Sequence, residues 1–385
     1  MMKRLRSLIF GLLLTLIVPS CGGGAPSEPV EPTQDRAIST PTNSPPAVSH
    51  VSPTSLPQIC NCVLRFDQIN IEEGLSQSSV QVIFQDSQGF LWFGTQDGLN
   101  RYDGYTFKIY KPDPDDTNSL SDRWITSIVE DPQGYLWIAT RLGLNRYDPR
   151  KEEFIHFLHD EANAASLIDN HVNILYIDKN ENLWIGTNSG LDRFDQGSGT
   201  FKHYFYTPSR REGNSGKSIT ALYEDSRGRF WVGTAAGGLY RFTPSNNSFT
   251  PYQNSLDESN TISSNHVTAI MEDANSVLWV GTSEGLNRFH PDSGIFERFL
   301  HDDKNDQSIA SDLIKDLHMD ITGNLWIATS KGLDRLSGKQ FIHYRHDPTF
   351  SKSLSENDVL SIYEDRGGIL WVGTWGGGVN KYDRR

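Results

Sequence analysis

Three features predict an all-β chain folded as a seven-bladed β-propeller. Seven Trp-centred segments recur along it. Their period leaves room for four short strands per unit. A stray strand pattern ahead of the first unit matches what the last unit lacks. In each segment Trp is followed by an aliphatic residue or Phe, then Gly or Ala, then Thr. The Trp residues are Trp92, Trp137, Trp184, Trp231, Trp279, Trp326 and Trp371, at spacings of 45, 47, 47, 48, 47 and 45.

Each unit reads in the same order. An aliphatic pair three apart opens the first strand, as in Val80 and Ile83 or Val267 and Ile270. A turn built on Asp and Gly follows, as in Asp86-Ser87-Gln88-Gly89, since Asp caps such turns and Gly tolerates the left-handed position. The Trp strand is next. A short loop then leads to Gly-Leu-x-Arg-aromatic, as in Gly98 to Tyr102 and Gly143 to Tyr147. The fourth strand carries an aromatic pair three apart, for example Phe107 and Tyr110 or Phe249 and Tyr252. The last unit stops at Tyr382 without that fourth pattern, which stands instead at Phe66 and Ile69. Pairing these two segments would close the ring at seven blades and remove its open edge.

The N-terminus reads as an export signal. Lys3, Arg4 and Arg6 precede the apolar run Leu8 to Val18, too short to span a bilayer comfortably. Val18-Pro19-Ser20-Cys21 resembles a bacterial lipobox, although Pro19 departs from the usual pattern. The resemblance implies acylation of Cys21 and attachment to a bacterial membrane, facing the periplasm or the cell exterior. The expected organisation is a signal peptide over 1–20, a Pro/Ser/Thr-rich disordered tether over 21–59 and the propeller over 60–385. Cys60 and Cys62 could form a strained disulfide or remain two free thiols. Three cysteines give no metal set, and no cofactor is expected.

A net charge of −13 argues against nucleic-acid binding and against docking of the body on anionic lipid. Membrane contact is expected only through the anchor.

The units of the form Asp-x-x-Gly-x-Leu-Trp-aliphatic-Gly-Thr, then Gly-Leu-x-Arg-Tyr-Asp, resemble two-component regulator propeller repeats. Asp86 to Asp103 fits almost throughout, and the resemblance runs from about Val63 to Arg385. In that family the repeats form the periplasmic ligand-sensing part of hybrid histidine kinases, often responding to polysaccharide fragments. The resemblance implies a sensing propeller. This sequence shows one propeller and no kinase pattern, so a binding module without kinase output is expected.

Residues repeated in every unit read as scaffold. The seven Trp are expected in the core. Arg101, Arg146, Arg193, Arg241, Arg288 and Arg335, with Lys381, are expected to pair with acidic neighbours between blades. Function is expected where one unit departs from the others. Trp124 opens the second unit where others carry Ser79, His171, Ser218, His266, Leu313 and Asp358. Trp375 sits in the last unit's loop between second and third strands. In a propeller these two loop types share one face. Trp124 and Trp375, with Arg123, Arg141, His171 and His266 and the nearby Lys331, are therefore the candidate ligand site. Such residues suit stacking on a sugar and hydrogen bonding to hydroxyls.

The ligand class expected is a small extracellular molecule, an oligosaccharide among them. The alternative is a surface protein partner for which the chain is a scaffold. Catalysis has little support. The histidines are scattered, no nucleophile elbow or His-Glu-x-x-His run occurs, and the repeats differ from those of seven-bladed streptogramin lyases.

Overall fold

The computed structural model describes residues 64–204 and 214–384. The leader, Cys21, the tether, Cys60 and Cys62 lie outside the described residues. The described chain forms seven antiparallel sheets of four strands each. In blade 1 the strands are Val80–Gln85, Leu91–Thr95, Gly98–Tyr102 and Phe107–Tyr110. The first strands of blades 2 to 7 are Ile125–Glu130, Val172–Ile177, Ile219–Glu224, Val267–Glu272, Ile314–Met319 and Val359–Glu364. Each first strand packs on those of both neighbouring blades, and the seventh packs on the first, so they enclose a central channel.

The termini meet as the sequence predicts. Asp67–Ile69 pairs with Val379–Tyr382, with Asp67 opposite Lys381 and Ile69 opposite Val379. Phe66 is buried and its ring lies 5.8 Å from that of Tyr382. The Lys352 ammonium reaches Asp67 at 2.6 Å across the same seam. A short 3-10 turn, Ile71–Glu73, capped by Asn70, then carries the chain into blade 1.

One arrangement holds every blade. The Asp of the first turn accepts the Trp indole N–H on one carboxylate oxygen, at 2.6–3.2 Å in all seven units. Its other oxygen accepts main-chain N–H groups two and four residues on, as Asp86 does from Gln88 and Phe90. The turn is thereby fixed to the core, and no indole donor is left unsatisfied in an apolar setting. The Thr after the Trp pair donates to the glycine carbonyl across the next turn, as Thr95 does to Gly98 at 2.9 Å. Close approach keeps the residue before that Thr small, Gly in five blades and Ala139 and Ala328 in the other two. A Cβ on Gly94 would sit 2.5 Å from Val82 Cγ1 and 2.6 Å from Ile125 Cγ2 of the next blade.

Neighbouring blades are clasped at the opposite end of the ring from the loops between second and third strands. The main-chain N–H of Ser87 donates to Glu130 at 2.6 Å, Ser226 to Glu272 at 2.7 Å, and Ile321 to Glu364 at 2.8 Å. Between blades 2 and 3 the clasp is absent because Pro132 has no N–H to give, and the facing strand ends in Ile177.

The conserved-position arginines correct the inter-blade expectation. Each lies directly opposite its own Trp in register, as Trp184 faces Arg193 and Trp326 faces Arg335, so both side chains emerge on one sheet face. The indole is therefore within reach, and Phe90 and Tyr135 lie nearer still to Arg101 and Arg146, at 4.7 Å. Arg146, Arg193, Arg288, Arg335 and Lys381 stand 5.7–6.0 Å from their Trp rings. Among the described ion pairs of this set, Arg101 alone reaches the next blade, to Glu152 at 3.6 Å.

Candidate ligand site at the channel mouth

Every first strand carries a β-bulge at its second residue, where the register to the Trp strand slips. A bulge leaves one residue unpaired and re-aims its side chain. The seven bulged residues are Gln81, Thr126, Asn173, Thr220, Thr268, Lys315 and Leu360. All seven line one cavity of about 530 Å³, which is the mouth of the central channel. Trp124, Arg141, His171, His266, Leu313, Ile314 and Trp375 complete its wall.

The rim is built from main chain, which leaves its side chains free to differ. In blades 3 to 7 the residue after the core Thr donates its N–H to the carbonyl of the residue that precedes the first strand. Asn188 bonds His171 in this way at 3.1 Å, Ser283 bonds His266 at 3.1 Å and Trp375 bonds Asp358 at 2.8 Å. Three bulged residues tie their blade to the next. Thr126 donates to the Val172 carbonyl at 2.7 Å, Asn173 to Ile219 at 3.0 Å and Thr220 to Val267 at 2.6 Å. Gln81 Nε2 and Thr268 Oγ1 do not make that bond, and both are enclosed without a protein partner.

Five of the six sequence-predicted ligand residues thus share one cavity. Trp375 is 47% exposed, on the loop after the second strand of blade 7. Trp124 is half-buried, and the Arg141 guanidinium lies over its ring, 3.4 Å from the centroid. One face of this indole is therefore already taken by a cation–π contact. His171 is held below its usual pKa first by desolvation and then by Arg141, with Asp169 and Asp122 opposing. His266 is lowered by desolvation alone.

Two positions fall elsewhere. Arg123 points away from its neighbour Trp124, as adjacent residues on an extended chain do, and lies 3.7 Å from Asp97 at the surface. Lys331 is one residue beyond the rim position, which Ser330 occupies. It lines a separate cavity of about 720 Å³ with His301, Asp303, His343 and Arg345.

The bulged ring itself escaped the sequence reading, although its signal was present. The residue after each opening aliphatic varies from Leu to Lys while that aliphatic stays Val or Ile. His159, His301 and His346 staple their loops, each Nδ1 bonding a main-chain carbonyl at 2.7–2.8 Å. Among the described residues no cluster of His, Cys, Asp and Glu is placed to hold a metal ion, and no helix is long and apolar enough to cross a membrane.

Comparison with known proteins bears on the repeats. The family model described as two component regulator propeller matches residues 74–97, 119–141, 166–189, 213–236, 261–284 and 353–376. The chain is built from two-component regulator propeller repeats. The extracellular domain of the hybrid two-component system BT3049 from B. thetaiotaomicron is similar in structure. It is 28% identical with a TM-score of 0.72, over 84% of this chain and 42% of that one. Histidine kinase P4 of Formosa agariphila is 61% identical over 49 residues, 13% of this chain and 4% of the kinase. The repeat chain thus spans less than half of either. Virginiamycin B lyase from Staphylococcus aureus, at 12% identity and a TM-score of 0.63 over 84% of this chain and all of that one, shares the fold. These regulator repeats are therefore similar to an extracellular domain of a sensor system, which is the setting of an exported sensing module.

Proposed function

We propose that this chain is an exported, lipid-tethered sensing propeller that binds an oligosaccharide at the channel mouth. The observation that carries the reading is the convergence of Trp124 and Trp375 with the seven bulged residues on one cavity. Sugars present apolar ring faces and many hydroxyls. An exposed indole covers such a face, and polar wall side chains such as Arg141 and His171 suit the hydroxyls. The cavity admits a few sugar units of a chain entering from the rim. Similarity to the BT3049 extracellular domain supports a sensing role outside the cytoplasm. The leader and Cys21 support export and tethering.

Calorimetric titration with a saccharide panel tests the reading. Binding to the wild type should disappear in the Trp124→Ala/Trp375→Ala double variant, whose circular dichroism should be unchanged. A double variant that binds as tightly as the wild type removes the channel mouth as the site.

A further inference from the structure

Charge at the channel mouth runs against the charge of the whole molecule. The chain has 48 Asp and Glu residues against 35 Lys and Arg, yet none of the acids lines this cavity. Its wall holds Arg141, Lys315, His171 and His266. From these groups we infer that the mouth selects an acidic saccharide, one bearing carboxylate or sulfate groups. The inference rests on the oligosaccharide reading above and names its chemical class.

Three neighbouring acids are already engaged elsewhere. Asp358 pairs with Lys315 at 2.5 Å, so that cation is already balanced on the rim. Asp169 turns back to its own loop, accepting the Ser189 hydroxyl at 2.5 Å and the His171 main-chain N–H at 2.8 Å. Asp316, next to Lys315 in sequence, faces the seam between blades 6 and 7. There it accepts the N–H groups of Ile362 and Leu317 at 2.8 Å, and burial pushes its pKa up to about 7. Arg141 has no carboxylate partner among the described ion pairs, and its guanidinium plane is held against Trp124. A guanidinium fixed flat on an indole keeps its edge donors free, and those donors match two oxygens of a carboxylate or sulfate.

The two histidines extend the argument. His171 feels the charges of Arg141, Asp169 and Asp122, whereas burial alone acts on His266. Both are held towards their neutral forms. An anion arriving between them favours their protonated forms, so binding should take up protons and tighten as pH falls below neutrality. The acidic body of the protein repels a polyanion elsewhere. The mouth is the place where that repulsion is locally reversed, and the attraction should weaken with salt.

Matched ligand pairs test this directly. Short galacturonate, guluronate and glucuronate oligomers are titrated beside their methyl-esterified neutral forms, and sulfated oligosaccharides form a parallel arm. The expected result is that at least one acidic member binds tenfold or more tightly than its neutral counterpart, with affinity falling as salt rises. Arg141→Gln should weaken that binding by about tenfold to a hundredfold, the range for a charge-assisted hydrogen bond. The exposed Arg150→Gln should leave it unchanged, and the uronate and sulfate arms tell which anion is preferred. Neutral forms binding as well as acidic ones, or Arg141→Gln binding like the wild type, overturns the inference. If Trp375→Ala still abolishes that binding, the channel-mouth reading survives. If neither class binds the wild type, both readings fall.

Discussion

The blade interior and the channel mouth obey opposite rules. Inside, seven blades repeat the same Asp–Trp hydrogen bond and the same Thr–Gly turn bond, with only Gly or Ala before that Thr. At the mouth, seven equivalent bulged positions carry Gln, Thr, Asn, Thr, Thr, Lys and Leu. The interior must be uniform because each Trp packs between its own sheet and the next, and a closed ring passes any misfit along. The mouth can vary because its rim is fixed by main-chain bonds that any side chain permits. Symmetry in this fold marks packing, and broken symmetry marks contact with something else.

Substitutions can break this comparison. The largest loss belongs to the interior. Trp137→Ala should cost about 3–5 kcal/mol, the usual range for removing a buried aromatic side chain, measured by urea unfolding. A loss below about 1 kcal/mol would mean that the blades share their core far less than the packing indicates. Asp131→Ala comes next. It removes the acceptor of the Trp137 indole N–H and of two turn N–H groups, and should cost about 2–3 kcal/mol by the same measurement.

A smaller effect separates two kinds of blade. In blades 1, 2, 5 and 7 a buried Asn on the third strand holds the loop that enters the blade, as Asn100 does with Ser76 at 2.9 Å. Blades 3 and 6 have Asp192 and Asp334 there, and each meets a histidine, His203 at 2.6 Å and His343 at 2.7 Å. The hydrogen bond and charge of Asp334 raise the pKa of His343. A histidine that binds its proton more tightly in the folded state adds stability below its unfolded pKa. That contribution is lost as pH climbs through the raised folded value. Melting temperature should therefore decline as pH rises from about 6.5, and Asp334→Asn should flatten that decline. An equally steep profile in the variant would exclude this pair as its source.

The smallest stability effect is expected at the mouth. Trp375→Ala should change unfolding free energy by no more than about 0.5 kcal/mol, because nearly half of the side chain is exposed. A loss as large as that of Trp137→Ala would make Trp375 part of the scaffold and would end the contrast drawn here.

The fold was legible because its signals repeat. Seven Trp segments gave the blade number, and Phe66 with Ile69 supplied the strand that Tyr382 leaves unpaired. The site was legible only at its largest departures. Trp124 and Trp375 stand out among small and polar equivalents, whereas Thr126, Thr220 and Thr268 resemble ordinary strand residues until the bulge turns them towards the channel. Arg123 and Lys331 were misplaced for one reason. A one-residue offset on an extended chain reverses the side a residue faces, and only register reveals it. The role of Arg146 and its equivalents likewise depends on cross-strand register, which spacing along the chain does not contain.

Crystals of residues 60–385 grown with the saccharide that binds most tightly in solution would test the account at its centre. The account places the ligand in the channel mouth, with a sugar face against Trp375 and an acidic group at Arg141. A ligand bound instead in the cavity beside Lys331 and Arg345, or on the opposite face of the ring, would contradict it.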